Sequence, residues 1–209
     1  MISFKNKKVL IIGNNLGFEK DVAIKLNNLG ANILLITQNE ILAKETISLL
    51  QGDNNRYLNF TNIKDIETSV ENTDIYIHFA DEQSDNLYLM DYSNLKNIFD
   101  KNITSYINFI KVISSKKQNI NNLSVLYISS NSNQISALNM SKTLSLELFE
   151  QNIRVNSLAI DNRYKYDFNE NSNDLIERIS SMASYIVSEY AKFIVGEIYK
   201  INWTQNKEI

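Results

Sequence analysis

The chain has 209 residues, of which 44% are hydrophobic and 22% charged, and its formal net charge is −3. This length is enough for one globular core, and the charge balance excludes the basic footprint of a nucleic-acid-binding protein. The absence of cysteine excludes disulfides, thiol nucleophiles and cysteine-based metal sites, and a single histidine excludes a multi-histidine centre. No apolar run could span a bilayer. We therefore expect a cytoplasmic protein that binds neither nucleic acid, nor a membrane, nor a metal.

Predicted strands and helices alternate along the whole chain. The strands, in order, are expected at residues 8–12, 32–37, 56–60, 74–79, 124–129, 153–160 and 197–202. The helices are expected at residues 19–29, 40–50, 62–70, 95–114, 136–150 and 175–190. Apolar strands that alternate with helices are typical of a parallel sheet covered on both faces. The sequence therefore predicts an α/β fold, a single Rossmann-type domain over residues 1–209 with one doubly wound parallel sheet.

The turn after the first strand carries a degenerate glycine motif. Gly13 and Gly17 are separated by three residues, as in a turn that lets the backbone approach a pyrophosphate at a helix N-terminus. The third glycine of that pattern is replaced by Glu19. A carboxylate about 4 Å from a phosphate costs about 1 kcal/mol in water and about 4 kcal/mol at an effective dielectric of about 20. Glu19 either weakens a bound dinucleotide or caps the helix of a cofactor-free protein.

Several motifs in a fixed order extend this pattern to nearly the whole chain. They are, in chain order, Gly13, Gly17, Asn102, Ser129-Ser130, Lys142 and Ile153-Arg154-Val155-Asn156. Together they resemble the short-chain dehydrogenase/reductase family, and within it the 3-oxoacyl-carrier-protein reductases. The resemblance implies a Rossmann-type fold and NAD or NADP as cofactor. It also implies an oxidoreductase that acts on the carbonyl or hydroxyl group of a small-molecule or acyl substrate.

The resemblance also implies which residues form the site. The cofactor would contact Gly13, Asn15, Leu16, Gly17, Phe18, Asn59, Ala80 and Lys142. The catalytic set would be Asn102, which holds a water in a proton relay, Ser130, which binds the substrate oxygen, and Lys142. Ser129 is the alternate to Ser130. Neither an acidic nor a basic residue follows the second strand, so the sequence does not choose between NAD and NADP.

The residue that delivers the proton in this family is missing. The family places a tyrosine four residues before the lysine, and Leu138 stands there instead. Leucine neither donates nor accepts a proton, and losing a positioned general acid typically costs ~10²–10⁴ in rate. We therefore expect ordinary carbonyl reduction to be impaired, with Tyr127 as the one possible substitute acid. Asp81, where the family has glycine, adds another negative charge beside the expected cofactor path.

Three functions stay open at this point. The chain is a divergent NAD(P)-dependent oxidoreductase, a non-catalytic partner subunit or ligand sensor, or a cofactor-independent lyase or isomerase. Family members form dimers and tetramers through the two helices that correspond here to residues 95–114 and 136–150. Apolar residues on more than one face of the first helix favour a homodimer, a homotetramer or a complex with an active paralogue. They are Ile103, Tyr106, Ile107, Phe109, Ile110 and Ile113.

Overall fold

The computed structural model describes residues 1–13, 18–59, 63–80, 90–116, 122–129, 135–160 and 172–201. Its strands are β1 (Lys8–Ile12), β2 (Asn32–Thr37), β3 (Arg56–Asn59), β4 (Ile75–Phe79), β5 (Leu123–Ser129), β6 (Ile153–Ile160) and β7 (Ile198–Ile201). Its α-helices are α1 (Phe18–Asn28), α2 (Glu40–Ser48), α3 (Ile63–Ser69), α4 (Tyr92–Phe99), α5 (Ser105–Lys116), α6 (Ile135–Leu148) and α7 (Ser172–Val187). Within these ranges, no helix has the length and apolarity needed to cross a bilayer.

The strands form one parallel sheet in the order β3-β2-β1-β4-β5-β6-β7. The chain winds outward from β1 in one direction, then returns and winds outward from β4 in the other. β1 and β4 therefore lie side by side, with Ile12 paired to His78. The crevice between the carboxyl ends of these two strands is the topological switch point, where ligands bind in sheets of this kind. The arrangement confirms the predicted doubly wound α/β fold.

Two apolar clusters cover the two faces of the sheet. On one face, α1 and α7 pack through residues that include Val22, Leu26 and Ile179. On the other face, α5 and α6 pack through residues that include Tyr106 and Leu138. Every residue of β4 and β5 is buried, because both strands lie in the middle of the sheet between these layers. Any polar side chain on β4 or β5 is therefore also buried.

Left-handed backbone positions are filled mostly by asparagine, because the chain has only five glycines. Gly30 ends α1 with a φ of 101°, and a Cβ there would lie 3.1 Å from the backbone nitrogen of Lys5. Among the described non-glycine residues, the positive φ angles lie between 52° and 64°, at Asn6, Asn72, Asn122 and Asn152. Asparagine tolerates this conformation better than most other residues with a side chain.

The helix predicted over residues 95–114 is interrupted in the structure. A turn of π-helix, Asp100–Thr104, separates α4 from α5, and the Ser105 N–H donates to the carbonyl of Asp100, five residues back. The apolar spacing of a sequence does not reveal such a widened turn. A π-helical turn adds one residue to the helix, and no particular residue type marks it. The turn places Asn102 against the core with only 3% of its surface exposed.

The segment Ile153-Arg154-Val155-Asn156 holds two distant parts of the chain together. The Arg154 guanidinium donates hydrogen bonds to the carbonyls of Ile186 at 2.8 Å, in the last turn of α7, and of Ser188 at 2.9 Å and Ala191 at 3.2 Å, just beyond its end. Burial lowers the pKa of Arg154, and Glu189 opposes that shift. Arginine stays charged even so, and a cation is favourable at a helix C-terminus.

The Arg154→Leu variant is expected to lose about 3 kcal/mol of unfolding free energy, because three carbonyls of the α7 terminus lose a charged donor. Urea denaturation followed by circular dichroism measures this loss. The matched control is Arg178→Leu on α7, whose guanidinium pairs with Asp174 at the surface. It should cost less than about 0.5 kcal/mol. Equal losses in the two variants would show that the Arg154 contacts are not stabilising.

Candidate functional site

The carboxyl edge of the sheet brings together part of the predicted cofactor site. Gly13 directly follows β1 and Ala80 directly follows β4, so both border the switch-point crevice. Asn59 ends β3 on the same edge, paired with Thr37, and β3 is two strands away from β1. Phe18 begins α1 and packs half-buried against the cluster on the α1 side. The predicted residues Asn15, Leu16, Gly17 and Ser130, together with Asp81, lie outside the described residues.

The side chain of Glu19 lies in this crevice. Glu19 is the second residue of α1, yet only 1% of its surface is exposed. A Cβ built on Gly13 would overlap Glu19 Oε1, and it would lie 2.8 Å from both Glu19 Cδ and Phe79 Cβ. The carboxyl group therefore lies over Gly13, next to the last residue of β4. The space that the glycine leaves open is filled by the chain itself.

The position of this carboxylate has an electrostatic reason. Glu19 and Asp21 are the two acidic residues in the first turn of α1. The N-terminus of a helix carries a partial positive charge, and an anion there gains about 0.3–1 kcal/mol, or up to about 2 kcal/mol when partly buried. The same field attracts phosphates to helix N-termini. A carboxylate and a phosphate would thus compete for one end of α1.

A buried cluster of three tyrosines and His78 lies between β4, β5 and α5. The His78 ring stacks on Tyr127, with the centroids 5.4 Å apart and the planes at 10°. Tyr106 contacts both rings, at 5.4 Å from His78 and 5.0 Å from Tyr127. The Tyr76 hydroxyl lies 2.8 Å from His78 Nδ1. Each of these four side chains is at most 2% exposed.

Burial keeps the His78 imidazole neutral. Burial lowers the pKa of His78 to about 3, while a hydrogen bond with the Lys101 backbone works in the opposite direction. A backbone hydrogen bond that raises the pKa of a histidine is one in which the ring donates, so the imidazole donates to the Lys101 backbone. Lys101 belongs to the π-helical turn. The widened turn and the neutral imidazole are thus linked by one hydrogen bond.

Burial also keeps the hydroxyl groups of Tyr76 and Tyr106 protonated. Burial raises the pKa of Tyr76 well above its ordinary value. Burial also raises the pKa of Tyr106 well above its ordinary value, and the Ser141 hydroxyl, 3.4 Å away, opposes that shift. A general acid works best with a pKa near the operating pH. Neither these tyrosines nor a neutral histidine with a pKa of about 3 meets that condition.

Most of the remaining predicted catalytic residues are buried in the core. Asn102, Ser129 and Tyr127 are all buried on the α5–α6 side of the sheet, around the cluster. Leu138 is also buried there, as one of the apolar residues that α6 packs against the sheet. Position 138 lies inside the packed core.

Lys142 lies farther from the carboxyl edge of the sheet than the predicted site does. Its side chain is exposed, and Lys142 Cγ lies 4.0 Å from the place a Cβ would take at Gly196. The Gly196 N–H donates to the carbonyl of Val155, near the start of β6. Val155 and Ile160, the last residue of β6, are about 16 Å apart at about 3.3 Å per residue. A lysine side chain at the level of Val155 does not reach that far. The role of Lys142 stays a prediction that this position does not favour.

Comparison with known proteins identifies the fold. No protein-family model matches the sequence, and no curated protein matches it. Solved structures do match over nearly their full length, and those described below have the short-chain dehydrogenase/reductase fold. This chain has that fold.

Three of these structures show the range of similarity. A hydroxysteroid dehydrogenase from Escherichia coli is 16% identical with a TM-score of 0.81, covering 97% of this chain and 98% of the other. BdcA from E. coli, in complex with NADPH, is 16% identical with a TM-score of 0.76, covering 99% of each chain. A short-chain type dehydrogenase/reductase from Mycobacterium ulcerans is 18% identical with a TM-score of 0.75, covering 96% of this chain and 90% of the other.

A dinucleotide does not fit the described residues at the turn after β1. The pyrophosphate of such a cofactor needs open space beside the first glycine, at the N-terminus of the following helix. In this chain the Glu19 carboxyl group fills that space over Gly13. Among the described residues, no three histidine, aspartate or glutamate side chains are grouped to hold a metal ion.

The strand pattern of the sequence accounts for some partners of His78 but not for all of them. Tyr76 and His78 are two residues apart on one strand, so they point to the same face. The alternation of β4 and β5 would place Tyr127 on that face too, since His78 and Tyr127 are paired across the sheet. The contribution of Lys101 could not be found in this way, because it depends on the π-helical turn.

His78 is expected to stay neutral down to about pH 4, because its folded-state pKa is about 3. It is the only histidine of the chain, so its imidazole NMR signals can be followed without assignment. We expect no titration between pH 8 and pH 5. A midpoint near 6.5 would contradict the buried, neutral state.

The same shift makes stability depend on pH. An unfolded chain binds a proton on its histidine near pH 6.5, whereas the folded chain does so only near pH 3. The free energy of unfolding is therefore full above about pH 6.5 and falls below it, by about 2 kcal/mol at pH 5. The His78→Phe substitution should remove most of this dependence of stability on pH, as measured by denaturant titrations at several pH values. The raised pKa of Asp21 acts in the opposite direction, and Glu40, Asp91 and Asp100 titrate at lower pH.

Proposed function

We propose that this chain is a divergent protein of the short-chain dehydrogenase/reductase type in which ordinary carbonyl reduction is impaired. One observation carries the proposal: four side chains on the α5–α6 side that could donate a proton are buried in the core. Tyr76, Tyr106, Tyr127 and His78 are each at most 2% exposed. The ancestral chemistry suggested by the resemblance is NAD(P)-dependent oxidoreduction, and what survives of it is the scaffold.

The geometry explains why no buried residue replaces the missing acid. A general acid must come within about 2.6–3.2 Å of the atom that it protonates. Tyr127, the possible substitute acid, has no exposed surface and is stacked against His78. A substrate oxygen cannot reach its hydroxyl without unpacking the cluster. The cluster therefore acts as part of the core.

Catalytic impairment is tested by NADPH and NADH oxidation with a panel of ketone and 3-oxoacyl substrates. The wild-type protein and Leu138→Tyr are both expected to match the protein-free rate. Leu138 is packed in the core, so a larger side chain there should cost about 1–3 kcal/mol of stability without presenting its hydroxyl to a substrate. An active 3-oxoacyl-carrier-protein reductase is the positive control. Turnover by the wild-type protein would overturn the proposal, and a gain confined to Leu138→Tyr would show that position 138 faces the substrate.

A second candidate function is that of a non-catalytic subunit that associates with another copy of this chain or a paralogue. The apolar residues that favour this in the sequence are mostly used in the core, since Tyr106, Phe109, Ile110 and Ile113 are buried. Part of the exposed apolar surface lies instead on α4, which has no buried residue. Tyr92 is 79% exposed and Phe99 44% exposed, and α6 adds Leu146 at 77%. Such surfaces are typical of association sites.

The charges of α4 favour a copy of the same helix as the partner. Asp91 caps its N-terminus, and Lys96 forms an ion pair with Asp100 one turn later. A helix that carries both signs of charge beside an apolar stripe is self-complementary when two copies meet around a two-fold axis. We therefore propose a homodimer whose interface includes α4.

Sedimentation velocity measures this association. We expect the wild-type protein to be a dimer or tetramer at micromolar concentration and the double variant Tyr92→Lys/Phe99→Lys to be a monomer, because two cations replace the apolar stripe. The control Ile41→Lys changes a single apolar residue on α2 that is 82% exposed. It should leave the oligomer unchanged. A wild-type protein that stays monomeric at all concentrations would contradict the homodimer.

A further inference from the structure

The switch-point crevice is closed by an anion that belongs to the chain itself. Glu19 is 1% exposed and its carboxyl group lies over Gly13 and against Phe79. Gly13 follows β1 and Phe79 ends β4, so this group stands between the carboxyl ends of the two strands where the sheet changes direction. That crevice is the place where an α/β sheet of this topology takes its ligand.

The attraction that would bind a ligand phosphate there already acts on Glu19. α1 has 11 residues, long enough for a helix dipole, and Glu19 lies in its first turn. The carboxylate is therefore in the field that a pyrophosphate would use. Because its carbon and oxygen atoms also fill the space beside Gly13, an incoming phosphate meets both a like charge and occupied volume.

We propose, on the basis of the function proposed above, that Glu19 is an internal substitute for the phosphate of a dinucleotide and keeps the crevice closed to such ligands. The exclusion is steric as well as electrostatic. A neutral side chain of the same size should therefore still exclude the phosphate, whereas a small side chain should admit it. This distinguishes the proposal from simple charge repulsion, which a neutral residue of any size would relieve.

Two substitutions at one position separate volume from charge. Glu19→Gln removes the charge and keeps the size of the side chain, and Glu19→Ala removes both. The matched control is Asp21→Ala, which removes one negative charge from the same turn of α1. Asp21 is not among the nearest neighbours of the space over Gly13, which are atoms of Glu19 and Phe79. Isothermal titration with NADPH, NADH and inorganic pyrophosphate gives the affinities, and circular dichroism confirms that each variant is folded.

We expect the wild-type protein, Glu19→Gln and Asp21→Ala to show no binding at millimolar NADPH or NADH. Glu19→Ala should bind at least tenfold more tightly than the wild-type protein. If Glu19→Ala does not fold, Glu19→Gly, which supplies the third glycine of the motif, takes its place. For either variant, a rise in melting temperature on adding NADPH gives a second readout of binding.

Three results would overturn the proposal. They are micromolar binding by the wild-type protein, equal affinities of Glu19→Gln and Glu19→Ala, and a folded small-residue variant that does not bind. The outcome is independent of turnover. A Glu19→Ala variant that binds NADPH and reduces a carbonyl would overturn the proposed impairment and leave the role of Glu19 standing. A wild-type protein that binds NADPH without turnover would do the reverse.

Discussion

The covering of the sheet on both faces is the constraint on which the rest of this structure depends. A strand between two helical layers has no solvent to satisfy its polar groups, so each such group must find a partner inside the protein. His78 meets this demand through Tyr76 and the Lys101 backbone. Arg154, on β6, meets it through three carbonyls in and just beyond the last turn of α7. The same constraint that keeps the core intact also removes these groups from contact with a substrate.

The extent to which the sequence predicts this molecule depends on how local each feature is. β1 and β2 have the bounds that their apolar runs predict, because unbroken apolar strands are typical of a parallel sheet covered on both faces. The π-helical turn at Asp100–Thr104 was not predictable, because its cause is a fit between the helix and the sheet. The height of Lys142 on the sheet was not predictable either. A motif gives the order of residues. The distance of a side chain from the carboxyl edge of the sheet depends instead on the position of α6 along β6.

At the candidate site, the sequence predicts the chemistry of a residue but not the position of its side chain. The sequence shows that a glutamate replaces a glycine in the turn after β1, and elementary electrostatics shows that this opposes a phosphate. It does not show where the carboxyl group lies, since a first-turn side chain can point to solvent as easily as into the crevice. The structure places Glu19 in the crevice. It also places Leu138 in the core, among the apolar residues that α6 packs against the sheet.

The asparagines in left-handed positions affect the unfolded chain as well as the folded one. Asn6, Asn72, Asn122 and Asn152 adopt backbone angles that glycine would adopt at no steric cost. A glycine at each corner would, however, give the unfolded chain more conformations to lose on folding. With asparagine, each corner accepts some local strain and the unfolded ensemble becomes smaller. A chain with few glycines can therefore turn as sharply as the fold requires while limiting the entropy that folding must overcome.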